Sequence, residues 1–278
     1  MKIIVGMLAI MGMVFAAGVC AAQSGYQVVS VVDGGTIKGT VKWQGPLPHL
    51  TSLEIDKDPQ ICDPDGNHKQ RDLERLLVAP DGGIANTVIF LRDVTHGKAM
   101  DLIQARQFLN QKNCRYEPHI LLVPVGGNLQ VKSSDPTLHT VHMTGASDYN
   151  LPFTLKDQVI NRPMSRAGAV QLRCNAGHVW MNGEMIVASH PYYAVTDQNG
   201  NFELSQVPAG DYELVAWHEG WKVVGESPLY DVMTQKRVKR PVFSDPVIWS
   251  KHVTVPTRNV VEVNLTLSEH PPQMPVGH

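Results

Sequence analysis

The chain has 278 residues, 43% of them hydrophobic and 18% charged, with a formal net charge of −2. That composition can bury one or two cores and excludes a disordered chain of low hydrophobicity. The near balance of 24 basic and 26 acidic residues excludes the strongly basic surface by which nucleic-acid-binding proteins attract their partners.

At the N-terminus one lysine precedes an apolar run to Val19, and Ala21 and Ala22 follow. This is the pattern of a secretory signal peptide over residues 1–22, cleaved after Ala22, and it implies a periplasmic or secreted protein. Cys20 would permit a lipoprotein anchor, but Val19 is bulky where a small residue should precede a lipidated cysteine. Removal of Cys20 leaves Cys62, Cys114 and Cys174. An odd count in an oxidising compartment means one pair plus one thiol, or one thiolate held by a metal. Cys174 has metal-ligand neighbours and the other two have none, so a Cys62–Cys114 disulfide is expected.

Beyond the leader, GGTIKGTVKWQGPLP from Gly34 alternates β-formers with polar residues and exits in a Gly-Pro turn, which predicts a strand. Residues 47–85 lack sustained periodicity and predict a long loop, with one short helix around Arg71 to Leu77. Strands are expected over Ala85 to Val94, His119 to Val125 and Leu129 to Lys132, with Gly126-Gly127 as a turn. Residues 144–166 read as loop, and strands follow over Gly168 to Arg173 and Gly183 to Ala188. Asn199-Gly200 marks a hairpin between Tyr193 to Thr196 and Asn201 to Leu204. Asp211 to His218 alternates strongly. Residues 222–257 carry four prolines and the basic run QKRVKR without a clear structure, Val260 to Leu267 closes the fold, and 268–278 reads as a disordered tail. Short strands separated by turn signals define an all-β chain of sandwiches.

One stretch carries the chemistry. QLRCNAGHVWMNGEM, Gln171 to Met185, places Cys174, His178 and Met181 within eight residues at the end of a strand. A thiolate, an imidazole and a thioether form a soft donor set that suits copper, not magnesium or calcium. A buried thiol among core residues is the competing reading. A second imidazole would come from DPTLHTVH, Asp135 to His142, where alternation turns His139 and His142 to opposite faces. His119, His190 and His218 lie in strand contexts that favour structural roles, and His270, Met274 and His278 are sparse tail residues. Trp180 and Val179 would either form an apolar rim around an exposed edge of His178 or shield the metal.

PHILLVPVGGNLQVKSSDPTLHTVH and AGAVQLRCNAGHVWMNGEMIV, together covering about residues 115–190, resemble the cupredoxin family of blue-copper domains. The resemblance implies a Greek-key sandwich holding one type 1-like copper ion, with His139 and His178 as imidazole ligands, Cys174 as thiolate and Met181 as weak axial ligand. It leaves His142 structural. The Cys174-x3-His178-x2-Met181 loop also matches part of the binuclear copper motif of cytochrome oxidase. That motif requires a further cysteine at position 170, which is Val170, so a mononuclear site is expected. Thr140 stands where blue-copper proteins often carry Asn, so a steadying hydrogen bond would come from a hydroxyl or be missing.

GGTIKGTVKWQGPLP, ANTVIFL and VTDQNGNFELSQVPAGDYELVAWHEGW resemble a second module, the carboxypeptidase regulatory-like (transthyretin-like) sandwich. Its pieces flank the copper motifs, which implies a cupredoxin-like unit over 115–190 inserted between 34–94 and 191–267.

The sequence lacks the His-Cys-His run of a multicopper oxidase, a haem-attachment Cys-x-x-Cys-His, a Gly-x-Ser-x-Gly and a phosphate loop, so no enzyme is expected. The expected function is one-electron transfer with a redox protein such as a cytochrome. A copper carrier or resistance protein and a metal-free adhesion or glycan-binding sandwich are the alternatives.

Overall fold

A computed structural model of the chain describes residues 25–67, 69–100, 107–231 and 233–269. The expected signal peptide, Cys20 and the tail residues 270–278 lie outside the described residues. The fold is all-β, and the one helix among the described residues is the four-residue turn Pro59–Cys62.

Four main sheets account for most of the chain. The first runs Val159–Pro163, Asn128–Ser133, Phe108–Lys112, Arg115–Glu117. The second runs Tyr149–Phe153, His139–Gly145, Gly168–Arg173, Asn182–Ala188, Ile120–Pro124. The third contains Tyr193–Val195, Val88–Leu91, Gly210–His218 and Val247–Val255 in that order. In the fourth, Asn201–Val207 pairs with the central strand Gly35–Trp43, whose other side carries Val260–Glu262 and Leu265–Leu267.

Three apolar clusters pack these sheets together. Leu109, Leu129 and Val131 of the first sheet meet Val141, Leu172 and Val187 of the second, in the cluster that also holds Cys174 and Met181. Ile37 and Val41 of the fourth sheet meet Ile89, Leu91 and Leu214 of the third. The seam between the two sandwiches is made by Ile120, Leu122 and Ile186 against Val88 and Trp217. Ile120–Pro124 and Asn182–Ala188 are buried on both faces, so alternate side chains of one strand serve two different cores.

Three segments depart from the sequence expectation. Residues 71–77 form no helix; Gln70–Asp72 is a short strand paired with Ser52–Glu54. Arg71 and Arg75, both within the segment expected to be helical, are buried and used as crosslinks. Arg71 donates to the carbonyls of Asn113 (2.7 Å) and Cys62, and Arg75 to that of Gly220 (2.6 Å).

Residues 144–166 contain two strands, Tyr149–Phe153 and Val159–Pro163. Both are sheet edges, where Pro152 and Pro163 are tolerated and half of each strand stays polar; this hid them as loop. Residues 222–257 form a two-stranded ribbon, Val223–Asp231 with Lys236–Phe243, followed by Val247–Val255, which pairs in nine positions with Gly210–His218.

Candidate metal centre

Cys174 stands at the end of Gly168–Arg173, and the chain turns back so that Met181 lies alongside it. The Cys174 amide donates to the Met181 carbonyl (3.3 Å), and the Met181 amide donates to the His178 carbonyl (3.0 Å). The turn needs Gly177, whose φ is +89°. A Cβ there would also stand 2.6 Å from Asp231 Oδ2 and 2.9 Å from Lys57 Nζ. His139 opens the neighbouring strand, His139–Gly145, and points to the same core.

One donor atom each from His139, Cys174 and His178 lies within 4.8 Å of the others, and all three residues are buried. Cys174 Sγ and His178 Nδ1 are 3.8 Å apart, and the two imidazole rings meet edge to face with centroids 4.5 Å apart. Met181 is buried in the same cluster. His142, three residues after His139, takes the opposite face opposite Arg173 in the sheet register, half-buried and outside the group. Val170 is buried in the core facing Met185 across the hairpin.

Each imidazole has an occupied outer nitrogen. His139 Nε2 lies 2.9 Å from Asp135 Oδ2, and His178 Nε2 lies 3.0 Å from Asp58 Oδ2. A carboxylate only accepts, so Nε2 carries the proton on each ring and Nδ1 is the nitrogen turned inward. His139 Nδ1 is buried with no hydrogen-bond partner. Such an orphaned nitrogen is costly unless something fills the space in front of it.

The sulfur is prepared as an anion. Burial alone would push the Cys174 thiol up, but the adjacent imidazoles of His139 and His178 outweigh it and hold the thiol well below its ordinary value. The amides of Ala176 (3.4 Å) and Thr140 (3.5 Å) point at the same sulfur. Burial lowers the basicity of His139, yet Asp135 and the Cys174 thiolate bring its pKa up to about 9. Asp135 itself is held below the usual carboxylate range against its burial, by His139 and by the amides of Cys114 and Asn113. A soft cation between the rings and the sulfur would meet one thiolate and two imidazoles, with Met181 in the same buried cluster. Those residues fit copper in type, number and burial.

Thr140 has a defined place: its hydroxyl accepts the Asn175 amide at 2.6 Å and so ties the start of the ligand turn to the His139 strand. Trp180 and His178 pack edge to face, and both are buried, so no imidazole edge is exposed. Cys62 and Cys114 form a buried disulfide, which leaves Cys174 as the free cysteine among the described residues.

The other strand histidines have structural partners. His119 pairs with Glu219, His190 Nδ1 accepts the Tyr192 amide (3.2 Å), and His218 Nδ1 bonds the Glu219 carbonyl (2.8 Å). Asp58 and Asp135 went unread in the sequence. Asp135 had a signal, an acid four residues before His139, whereas Asp58 is 120 residues from its histidine.

No protein-family model matches the chain, and no curated protein matches it. Among solved structures it is similar to cupredoxins over 29% of its length. A reduced variant of amicyanin is 24% identical, with a TM-score of 0.27 and 80% of that chain covered. A purple cupredoxin from Nitrosopumilus maritimus is 18% identical, with a TM-score of 0.26 and 98% covered. A copper-containing nitrite reductase from Thermus scotoductus SA-01 is 16% identical, with a TM-score of 0.27, and this chain spans 22% of its length. These likenesses concern under a third of the chain, so the chemistry of the site rests on its own residues.

Proposed function

We propose that the chain is an exported, mononuclear copper protein that passes single electrons between redox partners. The observation that carries this reading is the buried convergence of His139, Cys174 and His178, with one donor atom from each within 4.8 Å of the others. Copper would supply one-electron exchange between two oxidation states. The residues supply a fixed donor set: Cys174 as thiolate, His139 and His178 through Nδ1, and Met181 as the weak fourth ligand. Because these groups hang from adjacent strands and a turn closed by backbone bonds, the set can stay in place as the charge changes.

Burial also favours electron transfer over copper carriage. A carrier must release its metal to an acceptor that reaches the ligands, and His178 has no exposed surface. The flanking sandwich, read as carboxypeptidase regulatory-like from its own motifs, would act as scaffold or docking surface. Export is supported by the leader pattern and by the Cys62–Cys114 disulfide. No catalytic role is assigned, and the partner is expected to be a redox protein such as a cytochrome.

The test is to load the exported form with Cu(II) and record its visible spectrum and voltammetry. An intense thiolate-to-copper band and a reversible one-electron wave are expected. A colourless complex would refute the type 1-like site, and ready Cu(I) transfer to an acceptor with no redox wave would favour the carrier.

A further inference from the structure

Both imidazoles of the candidate metal centre use their outer nitrogen on a carboxylate, and both aspartates are tied to the same disulfide, Asp135 through its side chain and Asp58 through its backbone. Asp135 accepts the amides of Asn113 (2.8 Å) and Cys114 (2.9 Å). Asp58 belongs to the other half: its carbonyl accepts the amides of Ile61 (2.8 Å) and Cys62 (2.9 Å). The disulfide lies close behind the rings, with Cys62, Cys114 and His178 donor atoms within 4.8 Å of one another.

Asp58 is held from several sides. The Thr137 hydroxyl donates to its Oδ2 at 2.7 Å, beside the 3.0 Å contact with His178 Nε2. The preceding residue, Lys57, donates to the Ala176 carbonyl (2.6 Å) in the ligand turn and pairs with Asp231 (2.6 Å) on the 223–243 ribbon. Asp58 sits at φ 48°, ψ 44°, a conformation sparsely used by residues other than glycine. The strap 57–62 thus lies against the 174–181 turn and the outer edge of the His178 ring. Its consequence is visible in the exposures: the Asp58 side chain keeps 27% of its surface in solvent, and His178 keeps 0%.

We propose that Asp58 is a positioning residue of the metal centre, a carboxylate lid that locks His178 with Nδ1 toward Cys174 and biases the bound metal toward its oxidised state. This rests on the copper reading above. The lock follows from geometry: a carboxylate on Nε2 fixes the tautomer and prevents the ring from flipping. The bias follows from charge. An anion one imidazole away stabilises the more highly charged ion, and the low local dielectric of a buried site strengthens that effect. The lid also closes the path to His178, so metal leaves only when the strap lifts.

The experiment compares Cu(II)-loaded wild type, Asp58→Asn and Asp58→Glu in three measurements: visible spectrum, midpoint potential and the rate of copper removal by excess EDTA. Asp58→Asn is close in shape and removes the charge. It is expected to keep the thiolate band, lower the Cu(II)-to-Cu(I) affinity ratio about tenfold, which raises the potential by about 59 mV, and speed copper loss about 10- to 100-fold. Asp58→Glu restores the charge and should return the potential toward wild type, a rescue that a purely structural role would not give.

If wild type shows no thiolate band, the copper reading fails and takes this inference with it. A band in wild type together with unchanged potential and release rate in Asp58→Asn overturns the role of Asp58 alone. Should Asp58→Asn fail to fold, the Asp58→Glu potential decides: a value within a few millivolts of wild type supports the charge effect, and a large shift refutes it.

Discussion

Two buried polar clusters in this molecule look alike in composition and differ in what they can do. Near the seam of the two sandwiches, His119, Glu184, Glu219 and Arg75 are all buried, as are His139, Cys174, His178 and Asp135 in the other cluster. Each cluster pairs imidazole with carboxylate. At the seam, however, the protein supplies its own cation. Arg75 ion-pairs with Glu219 (2.8 Å) and Glu184 (3.5 Å), donates to Gly220 and Asn182, and lays its guanidinium 3.9 Å over the Phe243 ring. Glu219 is held ionised against its burial by His119 and Arg75. In the candidate metal centre no salt bridge to an arginine or lysine is made by His139, Cys174, His178 or Asp135 among the described residues, and the inward nitrogen of His139 has no hydrogen-bond partner. The lesson is that a ligand set is recognised less by its histidines than by the cation the fold leaves out.

That contrast can be broken at either cluster. The largest effect is expected at the first: Cys174→Ser should abolish the thiolate-to-copper band outright, while circular dichroism stays that of a β protein. Retention of the band would place the thiolate elsewhere.

At the seam, Arg75→Met removes the resident cation and strands two carboxylates in the interior. A loss of about 3–5 kcal/mol is expected in denaturant unfolding. The copper band of the folded fraction should be unchanged, because the seam holds no ligand.

The disulfide bears on the first cluster only. Replacing Cys62 and Cys114 together by Ser opens a link across 52 residues and should cost about 4 kcal/mol by loop entropy. The same variant should loosen Asp58 and Asp135, so copper should also dissociate faster.

The smallest effect concerns pH. Burial, with a further push from Glu219, raises Glu184 to about 7, above its ordinary value of 4.5. A folded-state pKa that is raised means the native chain binds the extra proton. Its contribution is full below about pH 4.5 and is lost as pH rises toward 7. Glu184→Gln should therefore gain stability relative to wild type between pH 5 and pH 7.5, by an amount on the order of 1–3 kcal/mol. A flat difference across that range would mean that Arg75 keeps Glu184 ionised throughout.

The sequence displayed the candidate ligands because three of them are local. Cys174, His178 and Met181 share one turn, and His139 has its own short motif before a strand. The all-β class was equally visible, since Asn201 to Leu204 alternates plainly, whereas Leu214 to His218 is buried throughout as part of a central strand. The parts that hold the ligands in place were not legible. Asp58 reaches His178 only because the segment around it packs on the sandwich that holds Cys174, and nothing in DKDPQIC announces a destination so far along the chain. Arg71 and Arg75 misled in the opposite direction: spaced four apart among leucines they resemble a helix face, but tertiary bonds to carbonyls override that periodicity. Edge strands such as Val159–Pro163, exposed at alternate positions, carry too little apolar pattern to be told from loop.

The strands buried on both faces bear on where this chain can be cut. A fragment over 107–190 would retain His139, Cys174, His178 and Met181, and on paper it is a complete copper unit. In water it would present Ile120, Leu122 and Ile186 as a bare apolar face, and it would lack Cys62 and Asp58. The four candidate ligands travel with the fragment, but Cys62, Asp58 and the apolar seam that enclose them do not.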